Sequence, residues 1–372
     1  MTTNILDTGI KVVRNVSGFT VGKGSVSQLA RFVDARREKV GSGSAVAVYL
    51  VDEFFRGRPD IVASLGIAPN DIVRYVAVAD EPTTDGIDAI TTEIRAQLGG
   101  LPVTIVGVGG GTTMDTAKAV ANLLTNGGAA ADYQGWDLVK VPGVHKIAVP
   151  TISGTGAEAT RTCVMTNTKT GLKLGMNSDY TVFDQMVLDP DLTATVPREQ
   201  YFYTGMDAYI HCVEALRGSY RNAVGDAYSR ETVNLCRQVF LGDDMMTDEA
   251  REKLMVASYL GGCAIATSYV GVVHPFSAGL SVVLGLHHCV ANCIALNALE
   301  EFYPEEHAEF RTMLEKQRVP LPHGVCKGLN DEQFERLVAA TVVHAKPLTN
   351  ALGENFRDIL TDDKVVEIFS RM

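Results

Sequence analysis

Asp207, His211, His274 and the adjacent pair His287-His288 have the types and spacing of a metal site. Residues 204–216 carry helical periodicity, so Asp207 and His211, four residues apart, fall on one face one turn apart. An Asp/His salt link on a helix surface is the plainer reading of that pair taken alone. His274 and the 287–288 pair, however, put imidazoles into an otherwise apolar stretch, where an unpartnered polar ring is costly. A shared ion satisfies them all. One carboxylate with imidazoles suits zinc or ferrous iron, while oxygen-only metals such as calcium fit poorly. Such an ion is a Lewis acid that lowers the pKa of an alcohol ahead of hydride release. A closed ion that only pins helices together is the alternative.

A second constellation lies in the first half. Residues 103–107 read as a strand that runs into Gly109-Gly110-Gly111-Thr112-Thr113-Met114-Asp115, after which 116–124 reads as a helix. Consecutive glycines between strand and helix let a pyrophosphate approach the backbone amides of the helix N-terminus. The spacing is not G-x-G-x-x-G, so a plain tight turn competes with a dinucleotide site. Asp52 ends the run Ala-Val-Ala-Val-Tyr-Leu-Val, where α/β proteins place an acid on the adenosine ribose. A carboxylate there repels a 2′-phosphate and favours NAD over NADP; an N-cap role is its alternative. Thr151, Ser153 and Thr155 follow the strand at 146–149 and offer hydroxyls at the same sheet edge.

These groups need two kinds of scaffold. Short β-branched runs at 45–51, 72–78, 103–107, 146–149 and 185–188 alternate with helical patterns such as Ile87, Ile90, Ile94 and Leu98. That alternation predicts an α/β domain with a parallel, Rossmann-like sheet over residues 1–190. Beyond Asp189-Pro190 the strand signals stop, and 226–239 and 248–267 carry long helical periodicity, which predicts an all-α, metal-binding domain over 191–372. A cleft between two packed domains is the expected place for chemistry.

Composition bounds the partners. At 372 residues, with 46% hydrophobic and 21% charged residues, the chain can build two cores. A net charge of −11 disfavours nucleic acid and anionic membranes, and points to a small-molecule substrate. The seven cysteines are scattered and lack a C-x-x-C pair, so they read as reduced core residues rather than a disulfide framework. The opening residues 1–15 lack a signal-peptide layout, and the apolar run 269–286, interrupted by His274, Pro275 and glycines, reads as a buried helix rather than a span. A cytoplasmic enzyme is expected.

Several segments resemble the iron-containing (group III) alcohol dehydrogenases, whose fold is dehydroquinate-synthase-like. Val21-Gly22-Lys23-Gly24 is similar to the family's F-G-x-G turn, Gly109–Lys118 to its G-G-G-S-x-x-D-x-A-K signature, and 149–160 to its P-T-x-x-G-T-G-S-E segment. Gly205–Ala215 resembles the G-x-D-x-x-x-H-x-x-E metal helix, 287–292 the P-H-G-x-x-N segment, and 346–351 the tail motif. The resemblance implies a metal held by Asp207, His211 and two further histidines fourteen residues apart, which selects His288 over His287 beside His274. It also implies NAD, an alcohol–aldehyde interconversion, and a homodimer. Two departures stand out. Ala278 replaces a histidine that relays protons in many relatives, leaving His287 as the candidate for proton transfer. Cys289 stands where glycine is usual, which puts the local turn in question.

For the substrate, Arg161 and Arg221 are cations able to clamp a carboxylate or phosphate, and Lys173 is assigned to cofactor phosphates. Residues 171–190 and 274–285 are similar to the 3-deoxy-manno-octulosonate 8-oxidase branch, which implies oxidation of the terminal hydroxyl of an acidic sugar. A flavin or oxygen as final acceptor, a dehydroquinate-synthase-like lyase using NAD and metal, and a general alcohol or polyol dehydrogenase are the competing readings.

Overall fold

The computed structural model describes residues 14–42, 45–79 and 81–372. The leader-free reading of residues 1–15 falls almost wholly outside them. The chain separates into two compact units, one running to Thr195 and the other spanning Val196–Met372.

The first unit holds the strands β1 (Gly18–Val21), β2 (Ala47–Asp52), β3 (Ile72–Val76), β4 (Thr104–Gly109), β5 (Gly135–Trp136), β6 (Lys146–Pro150), β7 (Thr162–Thr166), β8 (Lys173–Asn177) and β9 (Gln185–Leu188). Six of them form a parallel sheet in the order β1-β9-β6-β4-β2-β3. Strands β2, β4 and β6 are buried almost end to end, as a central parallel sheet with both faces covered requires. Helices α1 (Leu29–Lys39), α2 (Pro59–Ser64), α3 (Thr84–Leu98) and α4 (Gly111–Asn126) link them. The chain leaves β2 outward to β3 and returns to the other side of β2 as β4. The sheet therefore changes direction between β2 and β4, and the crevice beyond their C-terminal ends is where such sheets bind ligands. A small side sheet, β5-β8-β7, was not foreseen from the sequence.

The second unit contains no strand. Its helices α5 (Arg198–Arg217), α6 (Ala223–Phe240), α7 (Asp248–Thr267), α8 (Val273–Leu284), α9 (His288–Ala298), α10 (Pro304–Gln317) and α11 (Asp331–Val342) enclose a core that includes Phe202, Tyr209, Phe276 and Phe310. Every residue of α5 from Tyr201 to Ala215 is buried, so this helix is hidden all round rather than on one stripe. Any polar side chain on it needs a partner within the unit. Helix α8 ends on Gly285 at φ 69°, a left-handed C-cap that lets the chain reverse into α9. Among the described residues no helix is long and apolar enough to cross a membrane.

Candidate metal centre and nucleotide turn

Asp207 and His211 lie one turn apart on α5, His274 in the first turn of α8, and His288 at the first position of α9. The reversal at Gly285 brings the last two together. From Asp207 Oδ1, Nε2 of His274 is 3.3 Å away, Nε2 of His211 3.5 Å and Nε2 of His288 3.8 Å. Ligands of a tetrahedral ion with bonds near 2.1 Å sit about 3.4 Å apart. The separations observed suit such an ion. Asp207, His274 and His288 form the tightest set, their ligand atoms all within 4.8 Å of one another. His211 joins through Asp207 and stacks on His274, ring centroids 4.6 Å apart.

The protonation states also suit a metal. Burial alone would raise the Asp207 carboxyl, but His211, His288 and His274 outweigh it and hold it well below the ordinary carboxylate range. Burial depresses His211 to about 4, leaving it neutral, as a ligand must be. In His274 burial opposes the charge, yet Glu214 and Asp207 prevail and raise the ring to about 9, so a metal has to displace its proton.

Two residues that the sequence reading left without a role complete the centre. His274 Nδ1 hydrogen-bonds to Glu214 Oε2, while Glu214 Oε1 accepts the Val273 amide at 2.6 Å. This carboxylate fixes the tautomer and turns Nε2 toward Asp207. Asn292 donates through Nδ2 to Asp207 Oδ1 at 2.7 Å and lies 3.2 Å from His288 Nε2 and 3.3 Å from His274 Nε2. Helical spacing could have found both: Glu214 follows His211 by three residues and Asn292 follows His288 by four. Cys289 sits inside α9 with its thiol 3.9 Å from Asp207 Oδ2, so the side chain in place of glycine leaves an ordinary helix start. His287, the N-cap of α9, is exposed, and Ala278 is buried.

In the first unit, the nucleotide elements meet at the C-terminal ends of β2, β4 and β6. A Cβ on Gly109 would lie 3.0 Å from Asp52 Cβ and 2.5 Å from Thr113 Oγ1; one on Gly110 would strike Ile152, and one on Gly111 would press on Thr155. The glycines let the 151–155 loop close over the turn, and Thr151 N donates to Gly109 O at 3.0 Å. Helix α4 starts here with no side-chain cap and no acid in its first turn, so its N-terminal amides remain available to an anion. The buried hydroxyls of Ser153 and Thr113 have no hydrogen-bond partner among the described residues. Orphaned donors beside an uncapped helix fit a phosphate-bearing cofactor.

A sequence pattern described as iron-containing alcohol dehydrogenase matches residues 18–190, and one described as the C-terminal part of the Fe-containing alcohol dehydrogenase family matches 201–320. The chain belongs to the iron-containing alcohol dehydrogenase family. Its relatives are dehydrogenases and reductases acting on CH–OH groups. Sulfoacetaldehyde reductase of Bilophila wadsworthia is 34% identical over 58% of this chain and 56% of its own length. The NAD-dependent methanol dehydrogenase of Bacillus methanolicus is 28% identical over 74% of this chain and 71% of its own. The match thus spans little more than half of the first of these relatives. Among solved structures, an alcohol dehydrogenase from Oenococcus oeni superposes with a TM-score of 0.82 at 23% identity, over 97% of this chain and 99% of that one. Sulfoacetaldehyde reductase from Bifidobacterium kashiwanohense, solved in complex with NAD+, gives 0.79 at 22% identity, over 97% and 98%. These likenesses establish the iron-containing alcohol dehydrogenase fold, with its dehydroquinate-synthase-like architecture.

Within this family member several expected site residues are engaged elsewhere. Asp115 is half-buried, accepts the Val164 amide at 2.8 Å and pairs with Lys118 at 3.6 Å, tying α4 to β7. Lys173 is paired with Glu81 at 2.5 Å. Arg161 is shared between Asp137 and Asp179, and Arg221 is held by both oxygens of Asp226. Each of these cations has its charge met by a carboxylate. Asp52 accepts the Phe54 amide at 2.9 Å through Oδ1, which is the N-cap role, while still flanking Gly109. Thr112 offers its carbonyl to Thr116 Oγ1 at 2.8 Å.

Proposed function

We propose that the protein interconverts a primary alcohol and its aldehyde, using a divalent metal, zinc or iron, held by Asp207, His211, His274 and His288, and NAD held at Gly109–Gly111 with Asp52, Thr151, Ser153 and Thr155. One observation carries this reading: the buried Asp207 carboxylate and ligand atoms of His274 and His288 all lie within 4.8 Å of one another, His211 Nε2 is 3.5 Å from the same carboxylate, and a second carboxylate fixes the orientation of one ring. A metal there would supply Lewis acidity toward an alcohol oxygen, and NAD would supply the hydride acceptor. The protein's own groups set the stage. Asp207 stays ionised, His211 stays neutral, Glu214 orients His274, and Asn292 steadies the Asp207 carboxylate. His287, exposed at the head of α9 beside His288, is the proton-transfer group of this reading.

The finer reading, oxidation of an acidic sugar such as 3-deoxy-manno-octulosonate, rests on residues 171–190 and 274–285. Arg161 and Arg221 lend it no support, since both are already paired. The test follows NADH formation with that sugar acid, a simple primary alcohol and a polyol, and NADH loss with sulfoacetaldehyde. Turnover with any of them supports the oxidoreductase, and the preferred one fixes the class. Product formed with no net change in NADH would favour the lyase reading instead. The assembly is proposed to be a cytoplasmic homodimer, which light scattering checks.

A further inference from the structure

A pocket of about 370 Å3 lies in the first unit at the sheet end opposite the glycine turn, where β6 and β9 begin. That volume is in the range of small-molecule sites. Its walls include Arg14, Arg36, Lys39, His145 and Lys146, and a single carboxylate, Asp184. Four cations thus face one acid, in a chain where acids outnumber bases 44 to 33.

Asp184 is already consumed: it pairs with Arg14 at 2.5 Å, lies 3.8 Å from Lys146 Nζ, and accepts the Lys146 amide at 2.9 Å. Among the described residues, Arg36 meets the Val103 carbonyl, through Nε at 3.5 Å, and no carboxylate, and Lys39 has no ion-pair partner. Their positions in the last turn of α1 have a simple electrostatic reason, because cations favour a helix C-terminus. That reason does not reach Arg14, which precedes β1, or Lys146, which opens β6. Chain segments far apart in sequence have converged their positive charge on one cavity. His145, whose Nδ1 meets Thr104 Oγ1 at 2.9 Å, is depressed to about 4 chiefly by burial, with Asp184 opposing and Arg36, Lys146 and Lys39 adding smaller contributions.

We infer that this pocket binds a small phosphate-bearing anion, seated by the Arg36 guanidinium and the Lys39 ammonium, at a site separate from the dinucleotide turn. A phosphate dianion matches the excess positive charge better than a single carboxylate, and a guanidinium fork with a lysine point charge is the usual pairing for it.

The test titrates the full-length protein calorimetrically, at fixed ionic strength, with inorganic phosphate and separately with a pentose 5-phosphate. Saturable binding is expected, weakened by about tenfold for each cation removed in the Arg36→Ala/Lys39→Ala double variant, with an unchanged thermal midpoint and unchanged NAD affinity. Tighter binding of the phosphomonoester would identify a metabolite as the ligand; equal affinity would identify free phosphate. The inference is overturned if neither probe saturates, if the double variant binds as the wild type does, or if NAD affinity falls in step with phosphate affinity.

Discussion

Asp207 has more partners than a lone helix carboxylate would gather: three imidazoles, the Asn292 amide and the Cys289 thiol. Asn292→Ala removes the hydrogen bond that steadies it, and metal affinity should fall by about 10- to 100-fold, the usual effect of losing a group that orients a ligand. Glu214→Gln should lower affinity to a similar degree, because the amide no longer enforces the His274 tautomer. Competition with a chromogenic chelator reads both; affinities equal to wild type would mean these contacts do not position the ligands. The candidate ligands were marked in the sequence because polar rings in an apolar stretch demand a partner, whereas the choice of His288 over His287 came only from the family resemblance. Glu214 and Asn292 were less legible, because a Glu or Asn at helical spacing is as often a solvated residue. Only the reversal at Gly285 shows that α9 turns Asn292 back toward α5.

At the level of elements, that reversal can be tested by itself. Gly285 sits at φ 69° with open space around a would-be Cβ, so Gly285→Ala should cost about 1 kcal/mol from backbone strain alone. Chemical denaturation measures it, and no loss of stability would show that the left-handed cap is not required. On the nucleotide side, Asp52→Asn keeps an acceptor for the Phe54 amide but removes the charge. Discrimination against NADP should relax by about tenfold in kcat/KM ratio; an unchanged ratio would detach Asp52 from the ribose. The central strands were readable because continuous apolar β-branched runs mark a doubly covered sheet. Strand β1 was not, since Gly18–Val21 is a four-residue edge strand with alternate residues exposed, and Gly22 and Gly24 nearby make it look like a turn. The β7–β8 hairpin was missed for a related reason: Thr162–Thr166 and Lys173–Asn177 mix polar and apolar residues without clean alternation.

For the whole molecule, stability carries the mark of a buried cation. Burial lowers Lys146 from 10.5 to about 8, against the pull of Asp184. The folded state therefore holds that proton less tightly than the unfolded chain, so the contribution to stability is present above pH 10.5 and is lost as pH falls through 8. Lys146→Met should flatten the stability curve between those limits relative to wild type, read as denaturation midpoints across that window. Parallel curves would show that the ammonium is solvated in the fold. The metal centre should act in the opposite sense, raising the unfolding temperature when filled, because the ion binds the folded arrangement and not the open chain.

The most direct measurement is the metal content of anaerobically purified protein by elemental analysis, beside that of folded Asp207→Ala and His274→Ala variants. About one zinc or iron per chain is expected in the wild type, and loss of the ion in both variants, with their circular dichroism unchanged. Wild-type protein that refuses zinc and iron, or variants that keep a full complement, would contradict it.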